Sequence, residues 1–394
     1  MEYMSNKKIA FCLQTMVLGG VEKELITVLN QIQGDYDVTV LLLYAEDMEI
    51  LKEIPAGVKT RILGIDKGYY CGSAADLVKQ RIKKGKCFEA VTIGVKRVLG
   101  IGMSHANTNI AEIPTMDEHF DTAICYHIHS PLMLKYVANS IQANKKVAWI
   151  HSDFYSSGYP IQKLKKYVNQ YDEFIAVSKK VEKEFRELCP WYQSNICTAY
   201  NYLDAEMILK LAKEPSQEYV FSQEDRVKLL TVGRFSNEKG IDLAIKTAAM
   251  LKKEKLQFHW FLIGYGELEN FYRELITEYD VADCFTILGR KSNPYPYIKN
   301  CDVYVQPSRH EAFGLVITEA KILGKTIVCS DFDGADEQID HGVNGIIVPV
   351  NDVDALTQEL SQLIRSPEKR EALSRELDGW SQEDTLREIV KHFA

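Results

Sequence analysis

No stretch of the 394 residues approaches the ~20 consecutive apolar residues that a bilayer-spanning helix requires. The N-terminus runs from Met1-Glu-Tyr-Met-Ser-Asn-Lys-Lys straight into a strand pattern and lacks the apolar core of a secretory signal, so a cytoplasmic protein is expected. The 9 cysteines stand singly, with no Cys-x-x-Cys pair. That argues against zinc-ribbon spacings and a disulfide frame, and suits reduced, mostly buried thiols. Positive charge is scarce as well: 47 Lys+Arg against 55 Asp+Glu leave a net charge of −8, and the deficit falls in the second half. A nucleic-acid-binding surface is therefore not expected. One basic stretch stands apart, from Lys79 to Arg97, where Phe88, Val91, Ile93, Val95 and Val98 interleave with Lys and Arg. It is either a solvated helix face or a peripheral contact with an anionic membrane.

The composition, 46% hydrophobic and 26% charged, is that of a globular chain long enough for two domains, each with its own core. Short apolar runs at 8–13, 36–44, 58–64, 122–127, 146–151, 174–178 and 196–201 alternate with helix-length segments. A polar segment, 213–226, reads as a linker. The alternation then resumes at 227–233, 258–264, 285–289, 303–306, 326–330 and 345–350. This rhythm predicts two α/β domains, each a parallel sheet covered by helices on both faces. Ligands in such sheets bind at the C-terminal ends of strands. His127, His129, His151-Ser-Asp153 and Asn201 fall at such ends. His127 and His129 are two apart on a strand and point to opposite faces, a poor metal pair.

Residues 308–321, Ser-Arg-His-Glu-Ala-Phe-Gly-Leu-Val-Ile-Thr-Glu-Ala-Lys, organise the second half. A strand pattern precedes them, a turn with Ala312 and Gly314 follows, and helical spacing begins at Leu315. The first N–H groups of a helix lack intrahelical partners, so strand, small-residue turn and helix make an anion site. Glu311 in the turn and Glu319 in the helix would repel a phosphate, so they are better placed to accept from hydroxyls on either side of it. A ligand with hydroxyls flanking a phosphate is a sugar nucleotide. Gly19-Gly20 between an apolar run and a helix pattern forms a second, weaker site of the same kind.

This stretch resembles the E-x7-E element of the retaining family-4 glycosyltransferases, which have the GT-B fold. Gly19-Gly20, His151, Gly233-Arg234 with Glu238-Lys-Gly240, Gly264-Tyr-Gly266 and Glu311 to Glu319 match that pattern in order over nearly the whole chain. The resemblance implies two doubly wound Rossmann-like domains facing a nucleotide cleft: an acceptor-binding domain at 1–203, a nucleotide-sugar-binding domain at 204–375, and a C-terminal helix at 376–394 crossing back to the first. It implies that Arg234 and Lys239 bind the diphosphate, Glu319 the ribose and Glu311 the donor sugar, with His151 orienting sugar and acceptor. Phe313, Gly314 and Leu315 would supply backbone contacts, Gly233 and Gly266 line the donor site, and the base lie against the backbone near Leu288 to Arg290. Gly19 and Gly20 would close on the phosphate.

The expected donor is a nucleoside-diphosphate sugar, with a UDP-sugar the first expectation, and the acceptor a glycan or polyprenyl-linked glycan of an envelope or capsule. Two fixed cations lower the leaving-group barrier without a metal, so no cofactor is expected. Asp331-Phe-Asp333 spells the D-x-D metal motif of a different fold, but its position implies a loop. Gly264-Tyr-Gly266 lacks the third glycine of a dinucleotide fingerprint. The alternatives are an inactive GT-B subunit supporting a partner transferase, or a GT-B sugar-nucleotide epimerase.

Overall fold

The computed structural model describes residues 7–17, 19–64, 116–128, 131–154, 164–215, 221, 225–377 and 382–393. His129 and the stretch from Lys79 to Arg97 lie outside them. The chain divides into two compact units. One holds the described residues of Met1–Val177, Glu182–Tyr200 and Leu386–Ala394; the other holds those of Ser178–Val181 and Asn201–Thr385.

The first unit is built on β1 (Lys8–Leu13), β2 (Asp37–Leu42), β3 (Lys59–Ile62), β4 (His119–Cys125), β5 (Gln142–Ile150), β6 (Glu173–Ala176) and β7 (Asn195–Thr198). The order is β3-β2-β1-β4-β5-β6-β7 and every pairing is parallel. The apolar runs explain this: β1 and β2 are buried along five of six positions, as strands covered on both faces must be. The C-terminal segment belongs to this unit. Phe393 is fully buried, with its ring edge-on to Phe11 (5.5 Å) and Tyr36 (6.3 Å). Its carbonyl accepts from Thr122 Oγ1 (3.1 Å), and His392 Nδ1 lies 3.1 Å from Glu173 Oε1. Lys145 Nζ holds the other oxygen of Glu173 at 3.0 Å.

The second unit contains β8 (Val227–Val232), β9 (Phe258–Ile263), β10 (Phe285–Gly289), β11 (Val303–Gln306), β12 (Thr326–Ser330) and β13 (Ile346–Val348), in the order β10-β9-β8-β11-β12-β13. Its strands alternate between two cores. Leu229, Trp260, Leu262, Val303, Val305 and Val328 enter one, while Leu230, Phe261, Ile263, Tyr304, Ile327 and Cys329 enter the other. This is the period-2 rule applied to a sheet with no solvent face. Trp260 is fully buried and still satisfies its indole N–H on Thr231 Oγ1 at 3.0 Å.

The linker reading of 213–226 is corrected at Phe221. That residue is 1% exposed and packs edge-on against Phe261 and Tyr297, with centroids 4.9 and 5.1 Å away. A polar surrounding sequence hid one aromatic that the core needs. Strand β7 also ends earlier than its apolar run, at Thr198; Asn201 is buried beyond it, its carbonyl accepting from Gln382 Nε2 at 3.0 Å.

Among the described residues no helix is long and apolar enough to cross a membrane.

Candidate functional site

Sheet order locates the site. In the second unit the order reverses between β8 and β11, and ligands of open parallel sheets sit beyond the strand ends at such a point. The residues that leave β8 are Gly233 and Arg234, followed by a single 3-10 turn, Asn237–Lys239. The residues that leave β11 are Pro307 to Glu311, ahead of helix Leu315–Ile322. The two turns are pressed together. Gly240 has φ 62°, and a Cβ there would overlap the carbonyl oxygen of Pro307. Only glycine meets both demands.

This brings Lys239 and Glu311 into contact although they lie 72 positions apart: Nζ is 2.6 Å from Oε1. The same oxygen accepts from Ser308 Oγ (2.9 Å) and Gln306 Nε2 (3.2 Å), and Gln306 is itself held by Tyr304 OH (2.9 Å). Three donors therefore fix Oε1, while Oε2 has no donor among the described residues. Arg234 contrasts with Lys239. Its side chain is exposed and forms no hydrogen bond or ion pair with another described residue.

Helix Leu315–Ile322 starts on Gly314, whose φ of 80° favours glycine and whose Cα faces the buried Phe332 ring. Asp331-Phe-Asp333 thus contributes packing to the turn through its central residue. Gln338 ties the same turn down: its amide donates to the Phe313 carbonyl, and its Oε1 accepts from Thr318 (2.8 Å). The helix buries Glu319, to which Tyr295 OH is hydrogen-bonded at 3.2 Å. Burial, and then the charge of Glu319, push the Tyr295 phenol far above its usual range, so it remains a donor. Lys321, two residues further along the same helix, is buried and reaches the Gln338 carbonyl at 2.7 Å; burial pulls its ammonium down to about 8.

Gly264 and Gly266 act by close approach. A Cβ on Gly264 would overlap the Gly233 carbonyl oxygen, and one on Gly266 would sit 2.6 Å from the Phe235 oxygen. They let the loop after β9 lie against the loop after β8. Arg290, at the end of β10, lies over the exposed Tyr265 ring at 4.9 Å. Gly233, Arg234, Lys239, Gly266, Glu311, Phe313, Gly314, Leu315, Glu319 and Arg290 thus all lie in the turns and the one helix beyond the C-terminal ends of β8–β11.

In the first unit the order reverses between β1 and β4. Gly19 caps helix Gly20–Ile32 after β1. A Cβ at Gly19 would come within 2.6 Å of Glu22 Oε2, so an acidic side chain folds over this helix start. His151 follows β5, buried, with the Trp149 ring stacked on it at 5.6 Å and 12°. Beside it lies fully buried Glu24, which accepts from Tyr126 OH (3.0 Å) and sits 3.7 Å from His151 Nδ1. Burial, then Glu24, keeps the Tyr126 phenol protonated. His127 is pushed down by burial. Glu24, Tyr126, Gln338 and Tyr295 were not distinguishable in the sequence, because each acts on a partner from a distant element.

Known proteins resemble this chain in sequence and in fold. Residues 213–378 match the family described as Glycosyl transferases group 1. An amylovoran biosynthesis glycosyltransferase, AmsK, of Erwinia amylovora is 31% identical over 145 residues, 35% of this chain and 36% of the relative. An alpha-D-kanosaminyltransferase of Streptomyces kanamyceticus is 30% identical over 156 residues, 39% of this chain and 40% of the relative. The matched stretches thus span well under half the length of these relatives. A structure of Anabaena HepE in complex with UDP-glucose superposes with a TM-score of 0.71 at 18% identity, covering 98% of both chains. The fold is GT-B, with two parallel-sheet α/β units and a C-terminal helix.

Proposed function

We propose that this chain is a retaining glycosyltransferase that moves a hexose-type sugar from a nucleoside-diphosphate sugar to a glycan or polyprenyl-linked glycan. The observation that carries the reading is the meeting of Lys239 and Glu311 at 2.6 Å at the sheet's switch point, with Arg234, which has no partner among the described residues, on the adjoining turn. The GT-B fold and the match of residues 213–378 support it. A UDP-sugar is favoured because the HepE structures hold UDP and UDP-glucose. Assembly of an envelope or capsular polysaccharide belongs to the same proposal, and the AmsK relative is a glycosyltransferase of amylovoran biosynthesis.

In this reading Arg234 meets the diphosphate first, because Lys239 already spends part of its charge on Glu311. Charge builds on the leaving phosphate as the bond from the anomeric carbon breaks. Fixed cations stabilise that state more than the ground state, and no metal is required. Glu319 accepts from the ribose hydroxyls and Glu311 Oε2 from the donor sugar. The acceptor oxygen bonds to the anomeric carbon on the face the diphosphate leaves, so configuration is retained. Its proton passes to the departing phosphate oxygen. The first unit is assigned the acceptor, with His151 orienting it. A peripheral contact with the inner face of the plasma membrane through the stretch from Lys79 to Arg97 belongs to the same proposal.

The test is donor turnover across a panel of UDP- and GDP-sugars, with and without lipid-linked glycan acceptors, in EDTA. Transfer that needs an acceptor and survives EDTA supports the reading. Acceptor-independent interconversion of the sugar would replace it with an epimerase, and a strict metal requirement would overturn the role of the two cations.

A further inference from the structure

We propose that Arg309 is a positioning residue that sets the spacing of Lys239 and Glu311, an inference that deepens the transferase reading and rests on it. Arg309 lies in the turn that carries Glu311, and its guanidinium faces the turn that carries Lys239. Nη1 and Nη2 bond the two oxygens of Asp242 at 2.8 Å each, a fork-to-fork pair. Nη1 also reaches the Asn237 carbonyl at 2.7 Å, and Nε reaches Asn351 Oδ1 at 2.7 Å. The backbone joins in, with Arg309 N–H on the Glu238 carbonyl at 2.7 Å.

Asn237, Glu238 and Asp242 bracket Lys239. Asp242 is also in the first turn of helix Ile241–Lys253, where an anion is favoured by the helix dipole. Asn351 is held at φ 63°, a conformation Asn tolerates, just before the helix that Asp352 caps. One side chain therefore ties three segments. Both ends of the pair are largely shielded, at 16% and 14% side-chain exposure. Burial works against the Asp242 carboxylate, but its bonds to Arg309 still hold it below the usual range.

The consequence is geometric. Lys239 and Glu311 sit on different turns, and Gly240 against Pro307 allows those turns to touch without fixing their slide. Arg309 fixes it. Lysine cannot replace it, because one ammonium cannot span both Asp242 oxygens, the Asn237 carbonyl and Asn351 together.

The experiment compares Arg309→Lys, Asp242→Asn and the double variant with wild type. Misplacing a catalytic group by about 1 Å can cost up to a hundredfold. We therefore expect kcat in Arg309→Lys to fall about ten- to a hundredfold at saturating donor, with donor KM changed far less. Asp242→Asn should fall similarly, and the double variant should be no worse than either single one. Unchanged kcat in Arg309→Lys, or additive losses, overturns the proposal; a lowered melting temperature with normal kcat assigns Arg309 to stability alone.

A second measurement needs no activity. Lys239→Ala and Glu311→Ala are combined in a double-mutant cycle read by unfolding midpoint, in wild-type and Arg309→Lys backgrounds. The shifts should be non-additive in the first background and additive in the second. If no nucleotide sugar is turned over by wild type, the functional reading falls while this cycle still decides the clamp. Equal non-additivity in both backgrounds contradicts it.

Discussion

Replacing Lys239 by Ala and Arg234 by Ala should have matching effects on catalysis and different effects on stability. Lys239 and Glu311 are 16% and 11% exposed, so removing the lysine leaves a shielded carboxylate without its cation. Breaking a fully buried pair costs about 3–5 kcal/mol. Here Ser308 and Gln306 still donate to the same oxygen, and some water reaches the site, so about 1–2 kcal/mol is expected. For a unit of this size that corresponds to a fall in Tm of roughly 2–8 °C. Arg234 is exposed and has no partner among the described residues, so its replacement should change stability by no more than about 0.5 kcal/mol. Both variants should lose about a hundredfold or more in kcat, the order of effect expected when one charge partner of a growing anion is removed. Differential scanning calorimetry of the ligand-free proteins, paired with donor kinetics at saturating acceptor, reads both quantities. Equal destabilisation by the two substitutions, or a Lys239→Ala variant as stable as wild type, would refute the electrostatic account.

Two further outcomes follow from the same structure. Glu319→Gln should raise donor KM more than it lowers kcat, because ribose does not change during the reaction; titrating donor at fixed acceptor checks this. The Glu173 carboxylate is opposed by burial, but His392 and Lys145 together hold it below its ordinary 4.5. Its stabilising contribution should be complete above that value and lost as pH falls through it toward the lower folded one. Urea midpoints from pH 7 down to 3 should therefore fall less steeply in Glu173→Gln than in wild type, and parallel slopes would contradict the pairing.

The sheets were legible because each strand is a short apolar run and each helix has an apolar stripe, both local signals. Strand order was not legible, since nothing in β8 or β11 names the other as its neighbour. For the same reason Glu311 could be placed in a turn and Glu319 in a helix, but not their partners. Lys239 reaches Glu311 across 72 positions, and Arg309 reaches Asp242 across 67. Arg309 lies inside the stretch 308–321 and has no recognisable role in the sequence alone, because its meaning depends on where the β8 turn lies. Phe221 failed for the opposite reason: its polar neighbours outweighed one aromatic in a local reading. Gly264 and Gly266 were visible as a glycine pair, but their steric reason appears only once the loop after β8 is in place.

The central proposal is sugar transfer from a nucleotide donor by Arg234, Lys239 and Glu311 without a metal. The measurement is NMR of the product formed from an α-linked UDP-sugar and a glycan acceptor, in EDTA, by wild type and by Arg234→Ala. An α-linked product is expected from wild type, with about a hundredfold less of it per unit time from the variant. A β-linked product, or transfer that stops in EDTA and is restored by Mn²⁺, would contradict it.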